Sequence, residues 1–186
     1  MRSGYSRRRF LQGLAGVLLV AGWNPRTRSW VTETAACDFA QLPPLDGDLH
    51  IDPATRGEFA DDFGNLISRQ PCAVLSPGSE NDIAKVVKFA RRHGLRVAMN
   101  GQSGTPDLRE SHSNFGQAQV QGGVAIDAKP LSSIHDISND SATVGAGVLW
   151  SELFDAAEPL GLTPPVLTDY MHLSVGGTLS VGGIGG

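Results

Sequence analysis

The residues best placed by type and spacing to do chemistry lie at the end of the chain. Thr168-Asp169-Tyr170-Met171-His172-Leu173 is followed by Ser174-Val175-Gly176-Gly177-Thr178-Leu179-Ser180 and then Val181-Gly182-Gly183-Ile184-Gly185-Gly186. An acid beside an aromatic ring can take a proton from a bound molecule. Glycines without a Cβ let backbone N–H groups come close to a large anionic ligand. The bland readings are a turn aspartate after Pro164-Pro165 and a flexible Gly-rich tail. The run reaches the last residue with no cap or closing strand after it, so the sequence is expected to be a fragment of a cofactor domain. A second group of the same kind is Ser111-His112-Ser113-Asn114-Phe115-Gly116-Gln117, inside a long segment from Asn100 to Gly122. Loops of that length are functional or disordered. Taken by itself, His112 has a plain surface-loop reading beside the functional one. His50, His93, His135 and His172 have no metal-ligand spacing, and no metal site is assigned.

The elements that must position these residues follow from local patterns. Cys72-Ala73-Val74-Leu75 is a short apolar strand and Pro77-Gly78 a turn. Ser79 with Asp82 reads as a capping box ahead of Ile83, Val86, Val87 and Ala90, which share one helical face. Arg91, Arg92 and His93 suit the last turn, and Gly94 is the natural stop. Leu95 to Met99 reads as the next strand. The result is a β-α-β unit, from which a parallel strand pair is expected. Gly123–Asp127 and Ala142–Gly147 read as further strands. Trp150–Ala157 reads as a short helix, with Leu149, Leu153, Phe154 and Ala157 inward, ended by Pro159 and Gly161. Residues 37–70, rich in Asp, Gly and Pro, read as a lead-in with a short helix near Glu58–Phe63. No Gly-x-Gly-x-x-Gly opens a helix after the first strand, so a Rossmann site is not supported.

Composition narrows the function classes. The 186 residues suffice for one domain, not for a cofactor domain and a substrate domain together. Residues 1–36 hold six Arg and one Glu, a net of +5 against −4 for the whole chain, so the remaining body carries −9. An acidic body with no basic stripe argues against a nucleic-acid partner. Cys37 and Cys72 make no disulfide framework; a single bridge and two buried thiols are both open. Arg7-Arg8-Arg9-Phe10-Leu11 precedes a 12-residue apolar stretch, Leu11–Gly22, too short for the roughly 20 residues that span a bilayer. Residues 1–36 therefore read as a twin-arginine signal peptide, with Thr34-Ala35-Ala36 at its cleavage end. The mature protein is expected in the periplasm or outside the cell, without stable membrane insertion.

From about Pro71 to Gly186 the chain resembles the FAD-binding domain of the vanillyl-alcohol-oxidase/p-cresol-methylhydroxylase (PCMH-type) flavoprotein superfamily. The segment Trp150–Gly186, with Thr168-Asp169-Tyr170 beside Val175-Gly176-Gly177-Thr178-Leu179-Ser180, is most similar to cytokinin dehydrogenases. The resemblance implies an α+β, PCMH-type FAD-binding fold: a β-α-β subdomain and a second α+β subdomain, here incomplete, with the FAD diphosphate between them. It divides the chain into signal peptide 1–36, lead-in 37–70 and a truncated FAD-binding domain 71–186. It also implies that Ser111-His112-Ser113…Gly116-Gln117 is the second half of the motif Arg-Gly-x-Gly-His-Ser-x-x-Gly-Gln, whose histidine bonds to flavin in many members. The first half departs: Asn100-Gly101 stands for Arg-Gly, Gln102–Glu110 lengthens the loop, and Ser111 replaces a glycine. In the alternative alignment Gly101-Gln102-Ser103-Gly104 is the loop and no histidine is left for attachment. FAD is thus either linked through His112 or held non-covalently.

The implied catalytic residue is Asp169, which takes the substrate proton as hydride passes to flavin N5. The implied FAD contacts are Gly101, Ser111, His112, Ser113, Gln117, Asp169, Ser174, Gly176, Gly177, Thr178, Ser180 and Ile184. The implied activity is oxidation of a C–N or C–O bond in a small molecule, such as an N6-substituted adenine. The rivals are a non-catalytic remnant and an FAD-linked sugar or lactone alcohol oxidase. On this reading residues 37–186 alone bind FAD weakly or not at all and do not turn over.

Overall fold

In the computed structural model, the described residues are 20–24, 29–32, 37–101, 104–105, 108–109 and 112–182. The paired arginines and the Thr34–Ala36 site lie outside them. The chain divides into two units, Met1–Cys37 and Asp38–Gly186. In the first, β1 (Val20–Asn24) pairs antiparallel with β2 (Ser29–Thr32). Neither cysteine is a free thiol: Cys37 and Cys72 are both disulfide-bonded.

The second unit is built on a four-stranded sheet. Its strands are β3 (Asp48–His50), β4 (Ala73–Ser76), β5 (Val97–Asn100) and β8 (Val124–Asp127), in the order β3-β4-β8-β5. β3 runs antiparallel to β4, while β4 and β5 both run parallel to β8. The expected parallel arrangement is present, but β4 and β5 are not neighbours; β8 lies between them. β8 is apolar on both faces, with Val124, Ala125 and Ile126 buried, which suits a central parallel strand better than an edge. β3 comes from the lead-in, which therefore adds an edge strand to the sheet. Its short helix is α1 (Pro53–Glu58), capped by Asp52 accepting from Thr55 N–H at 2.9 Å, and lies ahead of the Glu58–Phe63 expectation.

The crossover helix α2 (Glu80–His93) ends at Gly94, whose φ of +66° is the left-handed conformation the sequence pointed to. Its start differs from expectation. Ser79 makes no side-chain cap; its hydroxyl donates to Asp46 Oδ2 at 2.6 Å. Asp82 is fully buried and accepts from the N–H groups of Asp46, Gly47 and Gly78 at 2.9, 2.8 and 3.1 Å, and from Lys85 Nζ at 3.2 Å. The inner face is accordingly Asp82, Val86, Phe89 and Ala90, and Val87 is exposed. Phe89 stacks on Phe39 of the lead-in at 5.6 Å. Val86 packs with Leu75, Val124 and Ile126 in the main core.

The long segment after β5 carries a small hairpin, β6 (Gly104–Thr105) with β7 (Leu108–Arg109). Beyond β8, β9 (Ile134–Ile137) pairs antiparallel with β10 (Ala142–Val144). Helix α3 spans Trp150–Ala157 as expected, with Leu153 and Ala157 buried; Glu152 reaches back to accept from Leu149 N–H at 2.9 Å. The Gly-rich run is not a loop through its whole length: Val175–Val181 forms a helix, α4. Val148, Leu153 and Val175 make the core that docks α3 and α4 on the β9–β10 ribbon.

Candidate functional site

A cleft of about 390 Å³ opens between three parts of the second unit. The end of β5 contributes Met99, Asn100 and Gly101. The loop 112–118 contributes His112, Ser113, Asn114, Gln117 and Ala118. Leu173, Ser174 and one face of α4 complete it, with Ala128 and Ala146 behind. The volume lies in the range of small-molecule sites. Small residues make up much of the walls, and the polar groups converge from the two chain segments singled out in the sequence.

Of the residues implied by resemblance, Gly101, His112, Ser113, Gln117, Ser174, Gly176, Gly177, Thr178 and Ser180 all line this cleft. Ser111 and Ile184 lie outside the described residues. Asp169 is exposed and does not line the cleft. Its neighbour Tyr170 does reach the site: the Tyr170 ring lies 5.1 Å from His112, and His112 stacks on Phe63 at 4.9 Å with an interplanar angle of 21°. The row continues from Tyr170 to His172 at 5.5 Å, and His172 Nδ1 lies 3.4 Å from Ser151 Oγ.

The Gly-rich helix begins differently from the anion cradle that its glycines suggest. Ser174 caps it, its hydroxyl accepting from Gly177 N–H at 3.3 Å. Val175 N–H donates to Val148 O at 2.8 Å, Gly176 N–H to Ala146 O at 2.9 Å, and Thr178 N–H to Ser174 O at 3.1 Å. The first-turn donors are thus turned to protein acceptors. The glycines serve close packing instead. A Cβ on Gly176 would lie 2.7 Å from the Ala146 methyl, and one on Gly101 would fall on the Ser174 hydroxyl. The hydroxyls of α4 are also engaged. Thr178 Oγ1 accepts from Trp150 Nε1 at 2.8 Å and donates to Val175 O at 3.0 Å; Ser180 Oγ donates to Gly176 O at 2.7 Å. Each hydroxyl oxygen keeps a lone pair that no bond described above uses.

The loop carrying His112 is held by residues that sequence reasoning passed over. Asp62, nearly fully buried, accepts from Leu66 N–H at 2.8 Å, Ile67 N–H at 3.1 Å and Gly116 N–H at 3.2 Å. Burial by itself would raise its pKa, but these backbone donors outweigh burial and hold it below the usual aspartate value. Arg69 Nη1 donates to Gly116 O at 2.7 Å, and Phe63 N–H to Ser113 O at 3.0 Å. Ser113 Oγ donates to Gln119 Oε1 at 2.7 Å, and Gln119 Nε2 to Asp61 O at 3.0 Å. No periodic pattern marks Asp62; the only local hint is an Asp-Phe-Gly-Asn sequence that reads as a turn. Among the described residues, no group of three or more His, Cys, Asp or Glu side chains is placed to hold a metal, and no helix is long and apolar enough to cross a membrane.

Comparison with known proteins bears on this cleft. The family described as "FAD binding domain" matches residues 71–186. An uncharacterized oxidoreductase from the fasciation locus of Rhodococcoides fascians is 38% identical over 142 residues, covering 76% of this chain and 31% of that protein. Cytokinin dehydrogenase 2 of Arabidopsis thaliana is 37% identical over 142 residues, covering 74% of this chain and 26% of its own length. The chain thus spans between a quarter and a third of the length of these curated relatives. Among solved structures, 6-hydroxy-D-nicotine oxidase from Arthrobacter nicotinovorans superposes with a TM-score of 0.61 at 24% identity, over 74% of this chain and 29% of that one. The 4-ethylphenol oxidase from Gulosibacter chungangensis superposes at 0.55 and 21% identity, over 74% and 26%.

Proposed function

This chain belongs to the FAD-binding domain family, with the PCMH-type fold, and from that premise we propose that the cleft between loop 112–118 and α4 receives FAD for a cytokinin-dehydrogenase-like oxidation. The observation that carries the reading is the convergence of His112, Ser113 and Gln117 with Ser174, Gly176, Gly177, Thr178 and Ser180 on one cleft. The residues fit a broad, flat group. Gly101, Gly176, Gly177, Ala118, Ala128 and Ala146 keep the walls low, and side-chain hydrogen-bonding groups edge them. When bound, FAD supplies a two-electron acceptor for hydride from the substrate.

Each residue then has a task. His112, held between Phe63 and Tyr170, presents its ring for attachment to the cofactor. Ser113 and Gln117 offer hydrogen bonds from the same wall, and the hydroxyl oxygens of Thr178 and Ser180 offer acceptors from the other. Asp169, next to Tyr170 and open to solvent, takes the proton from the nitrogen or oxygen of a small substrate. The relatives named cytokinin dehydrogenases support a C–N bond in an N6-substituted adenine as that substrate.

The test of the attachment is simple. The chain, joined to the further C-terminal sequence that its longer relatives carry, is loaded with FAD and precipitated with acid; fluorescent flavin should stay with the protein, and His112→Ala should release it. If all flavin remains in solution with the unmodified chain, any FAD is held without a bond to His112.

Export by the twin-arginine route is part of the same reading. It is supported by Arg7-Arg8 before a short apolar stretch and by two disulfide-bonded cysteines, which suit an oxidising compartment. Changing both arginines to lysine should keep the protein in the cytoplasm; unchanged export would refute the route.

A further inference from the structure

The segment Asp61–Arg69 lies outside the residues matched by the family, and most of its side chains are exposed, Phe63 at 47% and Leu66 at 62%. Asp62 is the buried one, at 3%. A carboxylate is costly to bury unless its oxygens are satisfied. Those of Asp62 are satisfied, and by two stretches of backbone. Oδ1 accepts from Leu66 and Ile67 in its own turn, and Oδ2 from Gly116 in the loop that carries His112.

That loop is in an unusual conformation. Phe115 at φ +55° and Gly116 at φ +69° are successive left-handed residues, and Phe115 is not a glycine. Such a conformation persists only where the surroundings impose it. Here the surroundings are the segment 61–69. Asp62 takes the Gly116 N–H and Arg69 donates to the Gly116 carbonyl. Phe63 donates to Ser113 O through its N–H and stacks its ring on His112. Asp61 O accepts from Gln119. A Cβ on Gly116 would come within 2.5 Å of Ile67 Cγ2 and 2.9 Å of Arg69 Nη1, so the two segments meet with no space to spare.

We propose that Asp62 is a positioning residue of the site: with Arg69 and Phe63 it clamps the loop His112–Gln119 in the one conformation that turns His112, Ser113 and Gln117 into the cleft. The proposal rests on the FAD reading for what the cleft receives, but not for the clamp itself. Asp62 touches no ligand; it acts through the backbone of Gly116. A filler of the core would be an apolar residue. A buried acid is needed because two outward-turned backbone stretches require a shared anionic acceptor.

The test uses the full chain and three variants: Asp62→Asn, Arg69→Met and, as control, Asp82→Asn. Asp82 is a buried carboxylate of the same kind with no contact to the cleft. Two readouts need no cofactor, hydrogen exchange of the Gly116 amide and the ring resonances of His112. The third is FAD affinity, followed by amide shifts on titration with FAD. Asp62→Asn should speed Gly116 exchange and weaken FAD by about tenfold each, the size expected for losing a charge-assisted hydrogen bond, and should move the His112 ring signals. Arg69→Met, which keeps the buried carboxylate and so guards against a variant that fails to fold, should do the same to a smaller degree. Asp82→Asn should leave all three readouts unchanged while lowering thermal stability. Equal effects of Asp62→Asn and Asp82→Asn, matched for stability, would overturn the clamp. So would unmoved Gly116 and His112 signals in both Asp62→Asn and Arg69→Met. If the shifts that FAD induces gather away from the cleft, the FAD reading falls alone, and the exchange and ring signals still decide the clamp.

Discussion

Two buried aspartates, Asp82 and Asp62, each gather backbone N–H groups from separate stretches of the chain. Asp82, at the start of α2, gathers the N–H groups of Asp46, Gly47 and Gly78 and ties the lead-in to the β-α-β unit. Asp62 gathers N–H groups from its own turn and from the loop beside the cleft. Both carboxyls are held below the ordinary aspartate pKa because backbone donors outweigh burial. They differ in what hangs on them. Around Asp82 lie a fully packed core and a long helix; around Asp62 lie exposed turns and the polar wall of a cleft. The same chemistry therefore holds a scaffold in one case and, on our proposal, positions the loop of the cleft in the other.

The largest expected effect belongs to the scaffold. Asp82→Ala leaves three backbone donors without their acceptor, and should lower Tm by on the order of 5–10 °C, read by circular dichroism. A shift of under a degree would break the comparison, since Asp82 would then hold nothing together.

Acid should act at the same place. Burial alone would raise the Asp82 carboxyl, but the N–H donors of Asp46, Gly47 and Gly78 and the Lys85 ammonium hold it at about 2, well below the ordinary aspartate value. A depressed folded pKa contributes stability above the unfolded value and loses it as pH falls through the folded one. Urea melts should therefore show stability falling between about pH 4 and pH 2, and Asp82→Asn should flatten that fall. An unaltered slope in the variant would assign the acid loss to other groups.

A smaller effect sharpens the cleft side. Gly176→Ala places a methyl against Ala146, and should cost about 1–2 kcal/mol as α4 shifts. Because α4 is a cleft wall, its FAD affinity should fall further than its stability; a loss of stability with unchanged affinity would remove α4 from the site.

The sequence made the scaffold legible where the controlling contacts are local. The 3.6-residue apolar series and Gly94 located α2, and Trp150–Ala157 was located with both its ends. Contacts from afar decided the rest. β8 enters between β4 and β5; its apolar run Val124-Ala125-Ile126 is legible, but β4 is just as apolar, so the strand order is not. Val87 gives way to Phe89 on the inner face because Phe39 waits above it. The Gly-rich run turns helical because Val148 and Ala146 supply carbonyls to its first N–H groups. The cleft residues were legible through motif resemblance, but Asp62 was not: its partner Gly116 is 54 residues away. The resemblance points to Asp169; in the structure it is exposed and outside the cleft lining, and its neighbour Tyr170 packs on His112.

The central claim is that FAD occupies the cleft between loop 112–118 and α4. The most direct measurement is an FAD titration of the isotopically labelled chain followed by amide chemical shifts, which registers even weak binding. The account predicts that the perturbed amides map to Gly101, Ser113, Gln117, Ala128, Ala146 and Ser174–Val181, with the β9–β10 ribbon unmoved. Shifts gathered away from the cleft would contradict it.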